Sequence, residues 1–219
     1  MRNDKHLAIK LRKQGKSYNK ISKELDISKS TLSDWFSNIQ WSQKIKKELI
    51  RKANYIAKKR LRLICKARRE YWEKWREEFR KEAHKEFSSL ITNPLFITGI
   101  NLYWAEGDGK LKNGRVELVN TDPRMMALFV KFLRRVTKIP KNKIFAWMTL
   151  YPDLSENKCK LFWSKSIGIS PTRFQKTQFI RGRHPTKKVE YGMCAVQVNS
   201  RGLKEKIFTW IELLSRKLS

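Results

Sequence analysis

The distribution of glycine and proline constrains the fold of this chain more than any other feature of its sequence. Neither residue occurs between Lys16 and Asn93, whereas eight of the nine glycines and all six prolines lie from Pro94 onward. Because glycine and proline interrupt helices and mark turns, the first ninety residues are predicted to be helical and the remainder to mix strands with helices. The sequence therefore predicts an α+β protein whose N-terminal part is all-α.

Basic residues far outnumber acidic ones in both parts of the chain. The 219 residues include 50 Lys and Arg against 20 Asp and Glu, a formal charge of +30, and 40% of them are apolar, enough for a hydrophobic core. A charge of this size attracts phosphate polyanions, so nucleic acid is the expected partner.

A membrane surface is the competing polyanion. No apolar run approaches the ~20 residues of a spanning helix, and the N-terminus MRNDKHLAIK lacks the apolar core of a signal peptide. The sequence therefore predicts a cytoplasmic protein that is associated with the nucleoid and not with a membrane.

The cysteines do not have the spacing of a metal site. Cys65, Cys159 and Cys194 are far apart and never form a CxxC pair, and the three histidines are equally scattered. No zinc site is predicted, and the cysteines are expected to be small buried residues in a reducing compartment.

Residues 1–40 have the pattern of three short helices. Gly15 can end the first, and Ser17 and Ser28 can cap the second and third, because a hydroxyl there accepts a hydrogen bond from a free amide of the first turn. This pattern resembles the helix-turn-helix of resolvases and transposases, with Asp26 in place of the usual turn glycine. The resemblance implies that the third helix presents polar residues to base edges in the major groove of DNA. These residues are Lys29, Ser30, Thr31, Ser33 and Asp34. A three-helix unit that contacts other proteins is the alternative.

Residues 41–90 predict a long, basic, amphipathic helical connector, either one helix or two joined ones. Apolar residues recur every three or four positions from Ile45 to Phe87, and most of the others are charged. The basic part from Lys58 to Arg69 could follow phosphates along a duplex. A solvated connector with one buried apolar stripe is the alternative.

Residues 91–219 alternate predicted strands and helices. Asn113-Gly114 lies between two apolar-polar segments and is a strong hairpin signal, with strands expected near 108–112 and 115–121. Two later strands are expected near 173–181 and 190–199. The predicted order of elements is α-β-β-α-β-α-β-β-α.

This order, with a helix that ends at Glu106-Gly107 and runs into a hairpin, resembles the LAGLIDADG homing endonucleases and their non-cleaving relatives. The resemblance implies an αββα-type mixed domain over residues 91–219 and a motif helix that packs against its copy in a second chain. One motif per chain then implies a homodimer. The sequence departs from the motif at Asn101, where the helix-packing glycine usually stands, and at Trp104, where an earlier acid stands.

The resemblance also implies a Mg²⁺-dependent site for cleaving DNA. Glu106 is the expected metal ligand and Asp108 a second one, because Mg²⁺ prefers carboxylates together with phosphate oxygens. A plain turn at Gly107-Asp108-Gly109 is the alternative. Asn120 matches an amide at the end of the second strand. At the position of the family's lysine the chain has Asn199, with Arg201 and Lys204 just beyond. The expected catalytic set is Glu106, Asn120, Asn199 and Arg201.

Two further groups of residues are expected to contact DNA. Strand alternation gives each strand a polar or aromatic set on one face, which turns either to DNA or to the helices. These sets are Arg115 with Glu117, Lys143 with Phe145, Trp147 and Thr149, and Gln197 with Asn199. The basic turn RGRHPTKK is expected to bind phosphate through Arg181, Arg183, Lys187 and Lys188, with a solvated loop as the alternative.

The sequence thus predicts sequence-specific binding of duplex DNA and leaves two function classes open. One is a nuclease that cuts duplex DNA with Mg²⁺ as a homodimer. The other is a non-cleaving helix-turn-helix transcriptional regulator that keeps the LAGLIDADG fold only for binding. An RNA-binding accessory protein, stacking its tryptophans on unpaired bases, is a weaker third reading because the helix-turn-helix favours duplex DNA.

Overall fold

The computed structural model describes residues 4–180 and 189–219. It divides the chain into two compact units, one ending at Tyr71 and the other running from Trp72 to Ser219. The boundary lies within a single helix, α4 (Gln40–Leu90), which contributes to both units. The structure thus has one helix where the sequence allowed two. The overall class is mixed α+β, as predicted.

The first unit begins with three short helices, α1 (Lys5–Lys13), α2 (Tyr18–Leu25) and α3 (Lys29–Phe36). The predicted caps are present, because the Ser17 hydroxyl accepts from the Lys20 amide and the Ser28 hydroxyl from the Thr31 amide. Asp26 takes the left-handed conformation expected of the turn residue, with φ 50° and ψ 42°. The capping and turn predictions for this segment are therefore confirmed.

A small apolar core joins these helices. Its five buried members, each at most 1% exposed, are Ala8, Ile21, Ile27, Leu32 and Phe36. Leu25 and Trp35 pack at the edge of this core and are only partly buried.

Arg12 is buried in the first unit without a carboxylate partner among the described residues. Its guanidinium donates to the Ser42 hydroxyl at 3.0 Å, to the Ser42 carbonyl at 2.8 Å and to the Lys16 carbonyl at 2.8 Å. It also lies over the Tyr18 ring, 4.6 Å from the centroid. Burial lowers the pKa of Arg12. This one side chain therefore joins α1, the following turn and the start of α4.

The middle of α4 is exposed on all sides. Every residue from 51 to 71 is exposed, including apolar side chains such as Ile56, Leu61 and Ile64, which are 50–64% exposed. The apolar stripe predicted for the connector is therefore covered towards the two ends of the helix and not in its middle. Ile45 and Leu49 are partly buried near its start, and Ala83 belongs to the core of the second unit, with Phe87 packed against it.

The second unit packs helices on one four-stranded sheet. Its further helices are α5 (Pro94–Glu106), α6 (Pro123–Arg135), α7 (Glu156–Ile167) and α8 (Arg201–Leu218). Its strands are β1 (Val116–Asn120), β2 (Ile144–Leu150), β3 (Gln178–Phe179) and β4 (Met193–Val198). The strand order is β1-β4-β2-β3, with β4 antiparallel to both neighbours and β3 parallel to β2.

The predicted hairpin at Asn113-Gly114 is wrong. Residues Leu111–Asn113 form a 3-10 turn, Gly114 is left-handed at φ 64°, and only β1 follows. The reason is local, because the Asp108 carboxylate accepts from the Lys110 amide and from the Asn113 side chain, and such bonds compete with a strand ladder. The first strand of the pair is reduced to a single bridge between Gly107 and Leu118.

The strand predicted near 173–181 is also largely wrong. A 3-10 turn, Pro171–Arg173, occupies its start, where the Ser170 hydroxyl accepts from the Thr172 amide. Of residues 173–180, the part of this range that the structure describes, only Gln178–Phe179 pairs as a strand. The observed order of elements in the unit is therefore α-β-α-β-α-β-β-α.

One face of the sheet forms the core of the second unit. Val116, Val198 and Ile144 stand side by side across three strands, as do Leu118, Val196 and Ala146, and all six are at most 1% exposed. The helices cover this face with large side chains, which include Phe96, Phe129, Phe132, Ile207 and Trp210. The residues that alternate with these core residues along each strand lie on the opposite face of the sheet.

We expect Arg12→Ala to destabilise the first unit. The substitution removes three hydrogen bonds from a buried cation and leaves two carbonyls without their donor, which should lower the free energy of unfolding by about 2–3 kcal/mol. Urea unfolding followed by circular dichroism measures the change. Lys10→Ala, on the exposed side of the same helix, is the control and should change it by less than about 0.5 kcal/mol. An equal effect of both substitutions would contradict this role of Arg12.

Candidate nucleic-acid interface

The third helix of the first unit presents a short polar face. Lys29, Ser30 and Asp34 are exposed, whereas Thr31 and Ser33 are half-buried. The Ser28 hydroxyl lies 2.8 Å from the hydroxyls of both Ser30 and Thr31, so these two side chains also support the helix cap. Lys29 makes no ion pair with a described residue, so its charge is available to a ligand. The five predicted base-reading positions therefore differ in accessibility.

The exposed middle of α4 is strongly basic. Between residues 51 and 71 there are nine Lys and Arg and one acid, Glu70. An ion pair in this segment joins Lys66 to Glu70 at 3.9 Å, and both side chains are well exposed. Surface pairs of this kind contribute little, so the segment keeps nearly all its positive charge for a polyanion.

The sheet of the second unit brings the three predicted polar sets onto one face. The register places Glu117, Gln197 and Phe145 in one row across the strands, and Val119, Ala195 and Trp147 in the next. These residues alternate with the core residues, so they share the face opposite the helices. The Arg173 guanidinium lies over the Phe145 ring at 4.1 Å. The basic turn residues Arg181, Arg183, Lys187 and Lys188 lie outside the described residues.

The two acids at the end of α5 have different surroundings. Glu106 is exposed and its carboxylate makes no hydrogen bond or ion pair with any described residue. The side chain of Asp108 is only 14% exposed and lies 3.6 Å from the ammonium nitrogen of Lys204. It also accepts from the Asn113 side chain at 2.7 Å. Of the two predicted metal ligands, only Glu106 therefore has a free carboxylate.

A buried lysine, to which the sequence assigned no role of its own, lies beneath this loop. Lys204, in the first turns of α8, is 0% exposed and donates to the Tyr103 hydroxyl at 2.6 Å and to the Asp108 carbonyl. Burial lowers the pKa of Lys204 and raises that of Tyr103. Desolvation of Asp108 is outweighed by hydrogen bonds from Asn113, the Lys110 amide and Lys204, so its pKa is lowered. The sequence indicated Lys204 by its place just beyond Asn199, the position of the family's lysine.

The remaining predicted catalytic residues do not come together. Asn120 and Asn199 lie at opposite ends of the β1–β4 pair. Asn120 is opposite Cys194, five residues from Asn199, so the two amides are separated by about 17 Å along the strand. Asn120 accepts from the backbone amides of Thr121 and Asp122 and so shapes the turn before α6. Asn199 accepts from the Gln197 side chain at 2.6 Å, and Arg201 donates to the Lys112 carbonyl at 3.2 Å.

No group of three or more His, Cys, Asp and Glu residues within residues 4–180 and 189–219 is arranged to hold a metal ion. Cys159 and Cys194 are buried as predicted, whereas Cys65 is exposed on α4, so the prediction for that cysteine is wrong. Its position on the uncovered part of the helix is the reason. Within the same described ranges, no helix has the length and apolarity needed to cross a membrane.

Comparison with known proteins gave a match within the first unit. Residues 4–40 match the family model of a homeodomain-like domain. These residues contain α1, α2 and α3, so the match supports the helix-turn-helix prediction and DNA as the partner. Neither the curated proteins nor the solved structures gave a match to the chain.

We expect Lys204→Met to destabilise the second unit strongly. The substitution leaves the Tyr103 hydroxyl, the Asp108 carbonyl and the Asp108 carboxylate without their buried donor, at a cost of about 3 kcal/mol in unfolding free energy. Because folding lowers the pKa of Asp108, its contribution is present at neutral pH and is lost as the pH falls through that lowered value.

Urea unfolding at pH 7 and at acid pH measures both effects. Lys206→Met is the matched control, because that ammonium is more exposed and pairs with Glu82 and Glu86 at 3.1 and 2.8 Å. It should cost less than about 1 kcal/mol. If the two substitutions destabilise equally, the buried ion pair is not the main link between α5 and α8.

Proposed function

We propose that this protein binds duplex DNA sequence-specifically, with α3 as its recognition helix. The observation that carries the proposal is the exposed polar face of α3, directly after a left-handed turn at Asp26, inside a segment that matches a homeodomain-like domain. In this geometry the N-terminal part of the second helix of the pair reaches base edges. Lys29 and Ser30 are then the first candidates for base contact, and Ser33 and Asp34 follow one turn later.

The open face of the sheet is a second candidate for DNA contact. Its residues combine amides, which can pair with base edges, and aromatic rings, which can pack on sugars or bases. Gln197 and Trp147 are both half-exposed there, and Arg173 adds a cation beside Phe145. The exposed basic part of α4 would add phosphate contacts that do not depend on sequence.

We infer that the second unit is related to the LAGLIDADG homing endonucleases. A motif-like helix ending in Glu106-Gly107, followed by a sheet with helices on one face, supports this class. The 3-10 turn at Leu111–Asn113 replaces one strand of the expected hairpin. The relationship therefore rests on the order and packing of the remaining elements.

A homodimer through α5 is part of this proposal. The helix PLFITGINLYWAE has one charged residue, Glu106, yet one side of it is exposed, with Trp104 52% exposed. A helix that is apolar all round is normally covered. Gly99 does not serve a second chain, because a Cβ there would meet the Phe132 ring of α6 at 2.2 Å. A second copy would cover Trp104 and place two Glu106 carboxylates near a shared axis.

Cleavage of DNA is a second candidate function, and the free carboxylate of Glu106 is the observation that favours it. An exposed acid at the C-terminal end of a helix is unfavourable unless a cation or ligand compensates it. Glu106 from each chain would hold Mg²⁺, and the bound ion activates water and stabilises the leaving oxygen. Asp108 does not fit this role because Lys204 and Asn113 occupy its carboxylate. The alternative that we propose is a transcriptional regulator that binds DNA without cutting it.

We expect Lys29→Ala to reduce discrimination between DNA sequences. Loss of one base contact costs about 1–3 kcal/mol, so the ratio of affinities for a selected duplex and a scrambled one should fall about tenfold. Fluorescence anisotropy with duplexes selected from a random pool gives both affinities. Lys44→Ala, an exposed cation at the start of α4, should weaken both duplexes equally. An unchanged ratio in Lys29→Ala would exclude α3 as the recognition helix.

For the second unit, we expect Trp104→Glu to abolish dimerisation, because it places a charge in the proposed apolar contact. Light scattering after size exclusion gives the mass, and Leu161→Glu, at another exposed apolar side chain of the unit (64%), should leave that mass unchanged.

A nicking assay on plasmid DNA with Mg²⁺ distinguishes an endonuclease from a regulator that binds without cutting. Nicking that Glu106→Gln abolishes identifies an endonuclease, whereas tight binding without nicking identifies a regulator. A monomeric wild-type chain would refute the dimer.

A further inference from the structure

A cavity of about 340 Å³ opens in the second unit at the edge formed by the ends of α6 and α7 and the start of β2. Its polar and charged lining residues are Arg134, Lys141, Asn142, Ser170, Thr172 and Arg173. Its apolar lining residues include Val130, Ile144 and Ile169, which are at most 7% exposed. This volume is within the range of sites for small ligands.

The charge in this cavity is uncompensated. None of the ten lining residues is an acid. The side chains of Arg134 and Lys141 make no hydrogen bond or ion pair with any residue in the described part of the chain. The C-terminal ends of α6 and α7 contribute about half a negative charge each. Three cations against these two dipoles leave the cavity with a net charge of about +2, which favours an anion.

Arg173 is held in place and retains an unused donor. Its guanidinium lies 4.1 Å from the centre of the Phe145 ring and donates through one terminal nitrogen to the Asn142 carbonyl. Its Nε is buried and has no hydrogen-bond partner among the described residues. A buried charged donor without an acceptor is costly, so an oxyanion that supplies the acceptor would be bound favourably.

The rest of the lining fits a phosphate group. The hydroxyls of Ser170 and Thr172 are hydrogen-bonded to each other at 2.9 Å beside the 3-10 turn, so one of them keeps a proton that it can donate to an oxyanion. Arginine suits phosphate because its planar fork donates to two oxygens at once. The apolar side of the cavity would receive the uncharged part of the ligand.

We propose that this cavity is a binding site for a phosphate group, contacted by Arg134, Lys141 and Arg173. The group belongs either to a small phosphate ester or to the backbone of bound DNA. The site is independent of α3 and of Glu106, and it would exist even if the proposed DNA sequence recognition or cleavage failed.

Inorganic phosphate is the probe for this site. At constant ionic strength, maintained with potassium chloride, phosphate should bind the full-length protein saturably in isothermal titration calorimetry. Arg134→Gln should weaken this binding about tenfold, because it removes one charge-assisted contact. Arg135→Gln removes the neighbouring exposed arginine of α6, which does not line the cavity, and should leave phosphate affinity unchanged. A heat signal that does not saturate as phosphate is added would overturn the proposal. Equal effects of the two substitutions on phosphate affinity would also overturn it.

A second titration identifies the source of the phosphate. The protein is first saturated with a short duplex, and phosphate is then added. Undiminished phosphate binding indicates a site for a small phosphate ester. Lost phosphate binding, together with weaker duplex affinity in Arg134→Gln than in Arg135→Gln, indicates a DNA backbone phosphate. Both results support the site, while the Lys29→Ala comparison tests sequence recognition separately.

Discussion

The buried ammonium of Lys204 is the interaction on which the second unit depends. It joins α8 to the phenol at the end of α5 and to the loop that follows, through a hydroxyl, a carbonyl and a carboxylate. A charge in such a place is tolerated only when its donors are satisfied. This arrangement fixes the loop from Gly107 to Gly114, determines where β1 begins, and leaves Glu106 as the one free acid at that end of the helix.

The first unit could be predicted from sequence because its determinants are local. Ser17 and Ser28 act within one helical turn, and Asp26 acts through its own backbone conformation. Each signal is therefore contained in a few adjacent residues. The buried Arg12 was not predicted, because its partner Ser42 is thirty residues away and the contact depends on how α1 packs on α4.

The second unit could be predicted only in part, because some of its determinants join residues that are far apart in the sequence. The helix caps at Asp122 and Ser200 and the end of α7 at Gly168 each depend on adjacent residues, so they are signals that a sequence can show. The predicted hairpin was wrong, because the Asp108 carboxylate favours a 3-10 turn in place of the first strand. The pairing of Asp108 with Lys204 joins residues 96 positions apart, and no periodic pattern reports a contact of that kind.

The unshielded middle of α4 has a consequence for the mechanics of the chain. Like charges such as Lys58 and Arg62, or Arg62 and Lys66, follow one another at four-residue spacing and oppose the helix that carries them. Neutralising these like charges relieves the repulsion between them, so a polyanion bound alongside α4 also makes the helix more rigid. Binding and rigidity are therefore thermodynamically linked in this segment, and the helix would be less resistant to bending when its counter-charges are removed.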